Sequence, residues 1–162
     1  VTGVQTCALP ICRIKKKNLE AFMEKQGIPI PKTERAGDRK RILVVDDDPI
    51  IVETIVLSLE EDEFDYEVIS ASDGFEAGLQ VNHFKPHLLI LDIMMPDIKG
   101  YEVCRKVKSN PDTKDTKIVV LSAYLDEEKF KQMKEYGADV CFSKPLPLPQ
   151  LKEEVARLLE LK

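Results

Sequence analysis

The sequence predicts an α/β domain: a doubly wound parallel sheet of five strands with helices on both faces, preceded by a short basic helical arm. Short apolar runs alternate with amphipathic stretches five times between residues 41 and 162. The runs are apolar enough, HLLILD above all, to be covered on both sides, as parallel strands are. Each repeat is a strand followed by a helix, and ligands of such sheets bind beyond the carboxyl ends of the strands, where the strand order reverses.

The elements follow in order. RILVV (41–45) is a short β-branched strand ending in acids. PIIVETIVLSLEE (49–61) carries apolar residues at helical spacing, with Asp48 as N-cap and Pro49 at the first helical position. YEVISA (66–71) is a strand and DGFEAGLQVNHF (73–84) a helix. HLLILD (87–92) is a fully apolar strand ending in Asp92, and GYEVCRKVKS (100–109) is a helix closed by NPD. KIVVLSA (117–123) is a strand, and DEEKFKQMKEYG (126–137) is a helix with a solvated outer face and Gly137 as C-cap. VCFS (140–143) is a strand, and PLPQLKEEVARLLELK (147–162) is the last helix.

Composition narrows the class. Hydrophobic residues make up 43% and charged residues 33%, which fits a globular chain rather than a disordered one. No apolar run approaches the roughly 18 residues a membrane span needs, so no membrane partner is expected. The opening dozen residues lack the basic start of a signal peptide, and Lys15, Lys16 and Lys17 follow their mildly apolar part. The four cysteines (Cys7, Cys12, Cys104, Cys141) show neither CxxC spacing nor a nearby His. They read as free thiols in a reducing cytoplasm, with no disulfide framework and no zinc site. Net charge is −5 but uneven: residues 1–41 carry ten basic and four acidic groups (+6), the rest fourteen and twenty-five (−11). A basic arm on an acidic body suggests a nucleic-acid contact; a solvated linker is the plain alternative.

The strand ends hold the chemistry. Asp46 and Asp47 follow the first strand, Asp92 ends the third, Ser122 ends the fourth and Lys144 follows the fifth. Three like charges at one rim require a cation or a proton among them. An all-oxygen site with few ligands suits Mg²⁺, which keeps several waters and binds carboxylates together with phosphate. With a hydroxyl and an ammonium closing the ring, the set offers what a phosphoryl group needs: a carboxylate nucleophile, a metal, a point charge and a donor. Met94 and Met95 read as packing residues. His83 and His87 straddle a helix–strand turn and are not a helical metal pair.

ILVVDDDP, LLILDIMMPDIKG, LSA and SKP, in that order and spacing, resemble the receiver domain of two-component response regulators (CheY-like). The resemblance covers residues 41–162 and implies a flavodoxin-like (βα)5 fold. It implies Asp92 as phospho-acceptor, taking phosphorus from a phosphohistidine on a sensor histidine kinase or phosphotransfer protein. It implies Mg²⁺ held by Asp46, Asp47, Asp92 and the backbone carbonyl of Met94, with Asp47 the more direct of the acidic pair. Ser122 would hydrogen-bond the phosphoryl oxygens and pull its loop inward. Lys144 would pair with the phosphoryl charge, across a cis bond to Pro145. Asp48 is an N-cap rather than a ligand. One position departs from the family: an aromatic residue usually lies three before the Lys, and here it is Cys141. Phe142 cannot substitute, because strand neighbours face opposite sides. Cys141 therefore reads as a small core filler, with switching left to loop motion.

RIKKKNLEAFMEKQGIPIP places Leu19, Phe22 and Met23 on one helical face after Asn18, and ends at GIPIPK. It resembles the tail of an excisionase-like or MerR-like winged helix-turn-helix domain. Residues 1–11, VTGVQTCALPI, coincide with the translation of a common short-read sequencing adapter, and a Cys codon at position 12 agrees with its next base. The expected organisation is adapter-derived sequence over 1–12, a basic helical arm over 13–40 and a receiver over 41–162. The natural protein is then expected to be longer, with a DNA-binding module upstream, and to control transcription. A stand-alone receiver acting by protein docking is the alternative. The residues leave open whether phosphorylation drives a homodimer through the last sheet edge and helices. A phosphatase of the haloacid dehalogenase type is a third class. Asp46 and Asp48 fit its Asp-x-Asp, but Pro49–Ile50 break the rest of its pattern. A receiver of this kind phosphorylates and dephosphorylates itself and is not a turnover enzyme.

Overall fold

The computed structural model describes residues 22, 25–27, 39–95, 100–123 and 125–161. The chain divides into two units, Val1–Gly37 and Asp38–Lys162. In the first, Phe22 and Lys25 have helical backbone, the Gln26 amide donates to the Phe22 carbonyl at 3.0 Å, and Gly27 takes a left-handed φ of +65°. The other arm residues, with Asn18, Leu19, Met23, Cys7, Cys12 and the helix-turn-helix resemblance, lie outside the described residues.

The second unit is a five-stranded parallel sheet: β1 (Lys40–Val45), β2 (Tyr66–Ala71), β3 (Leu88–Asp92), β4 (Lys117–Ser122) and β5 (Val140–Ser143). The helices between and after them are α1 (Pro49–Glu60), α2 (Gly74–Phe84), α3 (Gly100–Ser109), α4 (Glu127–Glu135) and α5 (Leu148–Leu158). Strand order is β2-β1-β3-β4-β5, so the chain reverses direction across the sheet between β1 and β3. The flavodoxin-like expectation holds.

The apolar runs split residue by residue. Leu43, Val45, Leu89, Leu91, Ile118 and Val120 point to one face and pack with Ala77, Val81, Val103, Val107 and Met133 from α2, α3 and α4. Ile42, Val44, Leu88, Ile90, Val119 and Leu121 point to the other and pack with Ile55, Leu59, Leu151 and Val155 from α1 and α5. Alternation puts neighbours on opposite faces, and both faces are covered, so every residue of these runs is apolar.

Local polar chemistry sets the helix starts. Asp48, Asp73 and Asp126 each turn a side-chain oxygen onto a first-turn amide, of Ile50, Glu76 and Lys129 respectively. Pro49 occupies the first turn of α1, where its missing amide hydrogen costs nothing. At the end of α4 the structure corrects the expected cap: Tyr136 is the cap residue and Gly137, one further on, is left-handed at φ +94°. A Cβ there would lie 2.7 Å from Lys108 Cγ, so both the turn and the close approach require glycine. The last helix begins at Leu148, with Pro147 in the cap position.

Candidate functional site

Strand register builds the site. Val45 pairs with Leu91, so the next residues, Asp46 and Asp92, lie side by side at the carboxyl ends of β1 and β3. Ser122 pairs with Ser143, and the Lys144 amide donates to the Ser122 carbonyl at 2.8 Å, which brings the last strand's lysine to the same rim. Asp46, Asp92 and Ser122 are buried, at 1%, 3% and 0% exposure, while Asp47 is exposed.

The two buried carboxylates are held in matching ways. Asp46 Oδ1 accepts from the Asp48 amide, and Asp92 Oδ1 accepts from the Met94 amide, each at 2.9 Å. Lys144 Nζ donates to Oδ2 of both, at 2.7 Å and 2.7 Å. One ammonium thus bridges the reversal point of the sheet. Oxygens of Asp46, Asp47 and Asp92 lie within 4.8 Å of one another.

Charge is left over. Three carboxylates and one ammonium sum to −2 when all are ionised. Burial pushes the Asp46 carboxyl above its ordinary range, and the Asp92 charge adds to this. The Lys144 and Asp48 hydrogen bonds pull the other way and do not cancel it. Burial disfavours the Lys144 ammonium, but its two carboxylate partners outweigh that and hold its pKa above the ordinary value. Both directions describe one cluster: the lysine keeps its proton, and the cost falls on Asp46. An additional cation would relieve that cost, and an all-oxygen donor set with one exposed member suits a hard divalent ion. The residues fit such a metal.

The structure therefore brings together Asp46, Asp47, Asp92, Ser122 and Lys144, and the Lys144–Pro145 peptide bond is cis. Asp48 is engaged as the α1 cap at 2.9 Å from the Ile50 amide. Met94 corrects one expectation. Its side chain is 49% exposed rather than packed, because it stands on the rim loop; Met95 next to it is buried in the core. Cys141 packs against the α2–α4 side and Phe142 against the α1–α5 side, so the phenyl ring does not take the thiol's place. Cys104 and Cys141 are free thiols. Burial raises both, Cys104 to about 11, which makes them inert packing groups. His87 Nδ1 accepts from the Arg41 amide at 2.9 Å.

One contributor escaped the sequence reading. A Cβ on Gly100 would lie 2.6 Å from the Asp92 carbonyl oxygen and 2.6 Å from Ile93 Cα. The first residue of α3 thus lies against the backbone of Asp92, which only glycine permits. Its signal was a glycine at the start of the helix after the acidic strand.

Comparison with known proteins agrees with this geometry. The DNA-binding response regulator MtrA of Mycolicibacterium smegmatis (strain ATCC 700084 / mc(2)155) is 38% identical over 120 residues, 74% of this chain and 49% of MtrA. The chain spans about half the length of the curated relatives it matches. The signal receiver domain of a DNA binding response regulator protein (merR) from Colwellia psychrerythraea 34H has a TM-score of 0.72 at 27% identity, covering 75% of this chain and 98% of that one. The Mn(2+)-bound form of response regulator Rcp1 has a TM-score of 0.63 at 27% identity, covering 74% and 91%. Residues 42–156, which hold all of the sheet but the first two residues of β1 and every site residue above, match the response regulator receiver domain, and the chain belongs to that family.

Proposed function

We propose that this chain is the phospho-accepting receiver of a two-component phosphorelay, with Asp92 taking a phosphoryl group from the phosphohistidine of a sensor histidine kinase or phosphotransfer protein. The observation that carries the reading is the meeting of buried Asp46 and Asp92 on one ammonium, with exposed Asp47 beside them. An oxygen of Asp92 forms the new O–P bond as the P–N bond to the imidazole breaks. The nitrogen keeps the bonding pair and picks up a proton. Asp46, Asp47, Asp92 and the Met94 carbonyl would hold Mg²⁺, which supplies positive charge to the phosphoryl oxygens. Lys144 already lies at Asp92 and pairs with the charge the phosphoryl group brings. Ser122, buried at the end of β4, donates its hydroxyl to a phosphoryl oxygen and draws its loop inward.

The proposed output is transcription, through a DNA-binding module N-terminal to the arm. The +6 charge of residues 1–41 supports it, as does the DNA-binding function in the names of MtrA and the Colwellia protein. The setting is the cytoplasm, and the protein is a switch rather than a turnover enzyme. Among the described residues no helix is long and apolar enough to cross a membrane.

Intact mass after incubation with phosphoramidate and Mg²⁺ tests the reading. One phosphoryl adduct is expected on the chain and none on Asp92→Asn. Absence of the adduct, or its persistence in Asp92→Asn, sinks the proposal. Binding of the full-length natural protein to DNA, with and without phosphodonor, tests the output. No binding in either state moves the output to protein docking.

A further inference from the structure

We propose that the outer face of α2 is a self-docking surface, on which a second copy of this chain lays its own α2 antiparallel. The inner face of the helix is accounted for: Gly74, Ala77 and Val81 are buried in the core. The outer face is not. Phe75 is 69% exposed and Leu79 is 53% exposed, one helical turn apart. Gly78 lies between them, and a Cβ there would meet nothing within 4 Å.

Among the described residues nothing crowds that glycine. A helix-interior glycine weakens a helix relative to alanine, and here no neighbour requires the missing side chain. Flanked by two large apolar groups, it forms a notch where another helix axis can come close. Phe75 and Leu79 supply the apolar area that such a contact covers.

Charge selects the occupant. The α2 segment is acidic where it starts, at Asp73 and Glu76, and basic where it ends, at His83 and Lys85. A two-fold axis through Gly78 and Leu79, the middle of this helix, sets the acidic end of each copy on the basic end of the other. It also opposes the two helix dipoles. The contact is self-complementary: Phe75 of each copy covers Leu79 and Asn82 of the other. This helix packs over β1 and β2, at the opposite side of the sheet from its last strand, β5.

Sedimentation velocity of the full chain, from micromolar to millimolar concentration, tests the proposal. A reversible monomer–dimer equilibrium is expected, unchanged in Asp92→Asn. Phe75→Glu and Gly78→Gln should each weaken it at least about tenfold in dissociation constant. Gly78→Gln separates docking from folding, because glutamine is the better helix former and should leave thermal unfolding unchanged or raised. Lys85→Glu should weaken the dimer more at low salt than at high salt. A chain monomeric at every concentration overturns the proposal, as does a dimer that survives both Phe75→Glu and Gly78→Gln.

Discussion

The two ends of the sheet use polar groups in opposite ways. At the amino end, charged and polar side chains are spent on backbone. The Arg41 amide donates to His87 Nδ1 at 2.9 Å, and the Arg41 guanidinium donates to the Lys85 carbonyl at 3.0 and 2.8 Å. Thr116 Oγ1 donates to the Pro86 carbonyl at 2.9 Å, and the Ile118 amide donates to Asp139 Oδ2 at 2.8 Å. Lys108 Nζ, 3.3 Å from that oxygen, balances the Asp139 charge. At the carboxyl end, by contrast, side chains face one another, and their charges do not sum to zero. One end is stapled; the other carries a surplus of negative charge that a cation would offset. Substitutions at the two ends should therefore separate stability from chemistry.

The largest effect is expected at Lys144. Lys144→Met removes the cation that, among the described residues, bridges Asp46 and Asp92, and leaves two buried carboxylates side by side. Truncating one partner of a buried charge cluster costs about 3–5 kcal/mol, because the remaining charge stays desolvated. Denaturant unfolding in chelator should show that loss, and Mg²⁺ should restore part of it by binding only the folded state. The phosphoryl adduct should form more slowly as well. A variant as stable as the parent in chelator would show that the carboxylates have simply taken up protons.

Asp139→Ala comes next, at the opposite end. It deprives the Ile118 amide of its acceptor and Lys108 of its counter-charge. An unsatisfied buried donor costs about 1–3 kcal/mol. Phosphorylation at Asp92 should proceed at the parental rate once unfolding is allowed for. A large fall in adduct formation with stability intact would mean that the two ends are coupled.

How much of this was legible in the sequence follows the same division. The strands and the cap Asp48 could be read because each depends on residues within a turn of it; Asp73 and Asp126, placed inside their helices by the sequence, prove to be caps as well. Asp46, Asp92, Ser122 and Lys144 could be read because a parallel sheet gathers its strand ends and their chemistry is unusual. Their arrangement could not. That Lys144 bridges two carboxylates rather than one depends on the β1–β3 and β4–β5 register, across 98 and 52 residues of chain. The amino-end staples were invisible for a similar reason: Thr116 and Asp139 are ordinary loop residues until Pro86 and Ile118 arrive beside them. Met94 was misread because a methionine next to an apolar strand is usually packed, and only the loop's path turns it outward.

Thr116→Val should cost less, about 1 kcal/mol, since valine keeps the shape and loses one neutral hydrogen bond to the Pro86 carbonyl. Thermal unfolding measures the loss, and the phosphorylation rate should not move.

The smallest effect is one of pH, at His87. Burial holds this imidazole below its ordinary pKa, and the charges of Arg41 and Lys40 add to the shift. Its Nδ1 accepts the Arg41 amide, so the neutral ring is the form the fold uses. The unfolded chain protonates near the ordinary value while the folded chain stays neutral to lower pH. Between those two values the unfolded state binds more protons, so stability falls as pH drops from neutral through the ordinary histidine range and levels off below the folded value. Denaturant midpoints measured across that window should decline in the parent. In His87→Gln, whose side chain keeps an acceptor and does not titrate, the decline should be shallower. Carboxylates contribute to both curves at lower pH, so the difference between the two chains, not either curve alone, isolates His87. Identical slopes would place the acid sensitivity of the fold at the carboxyl rim instead.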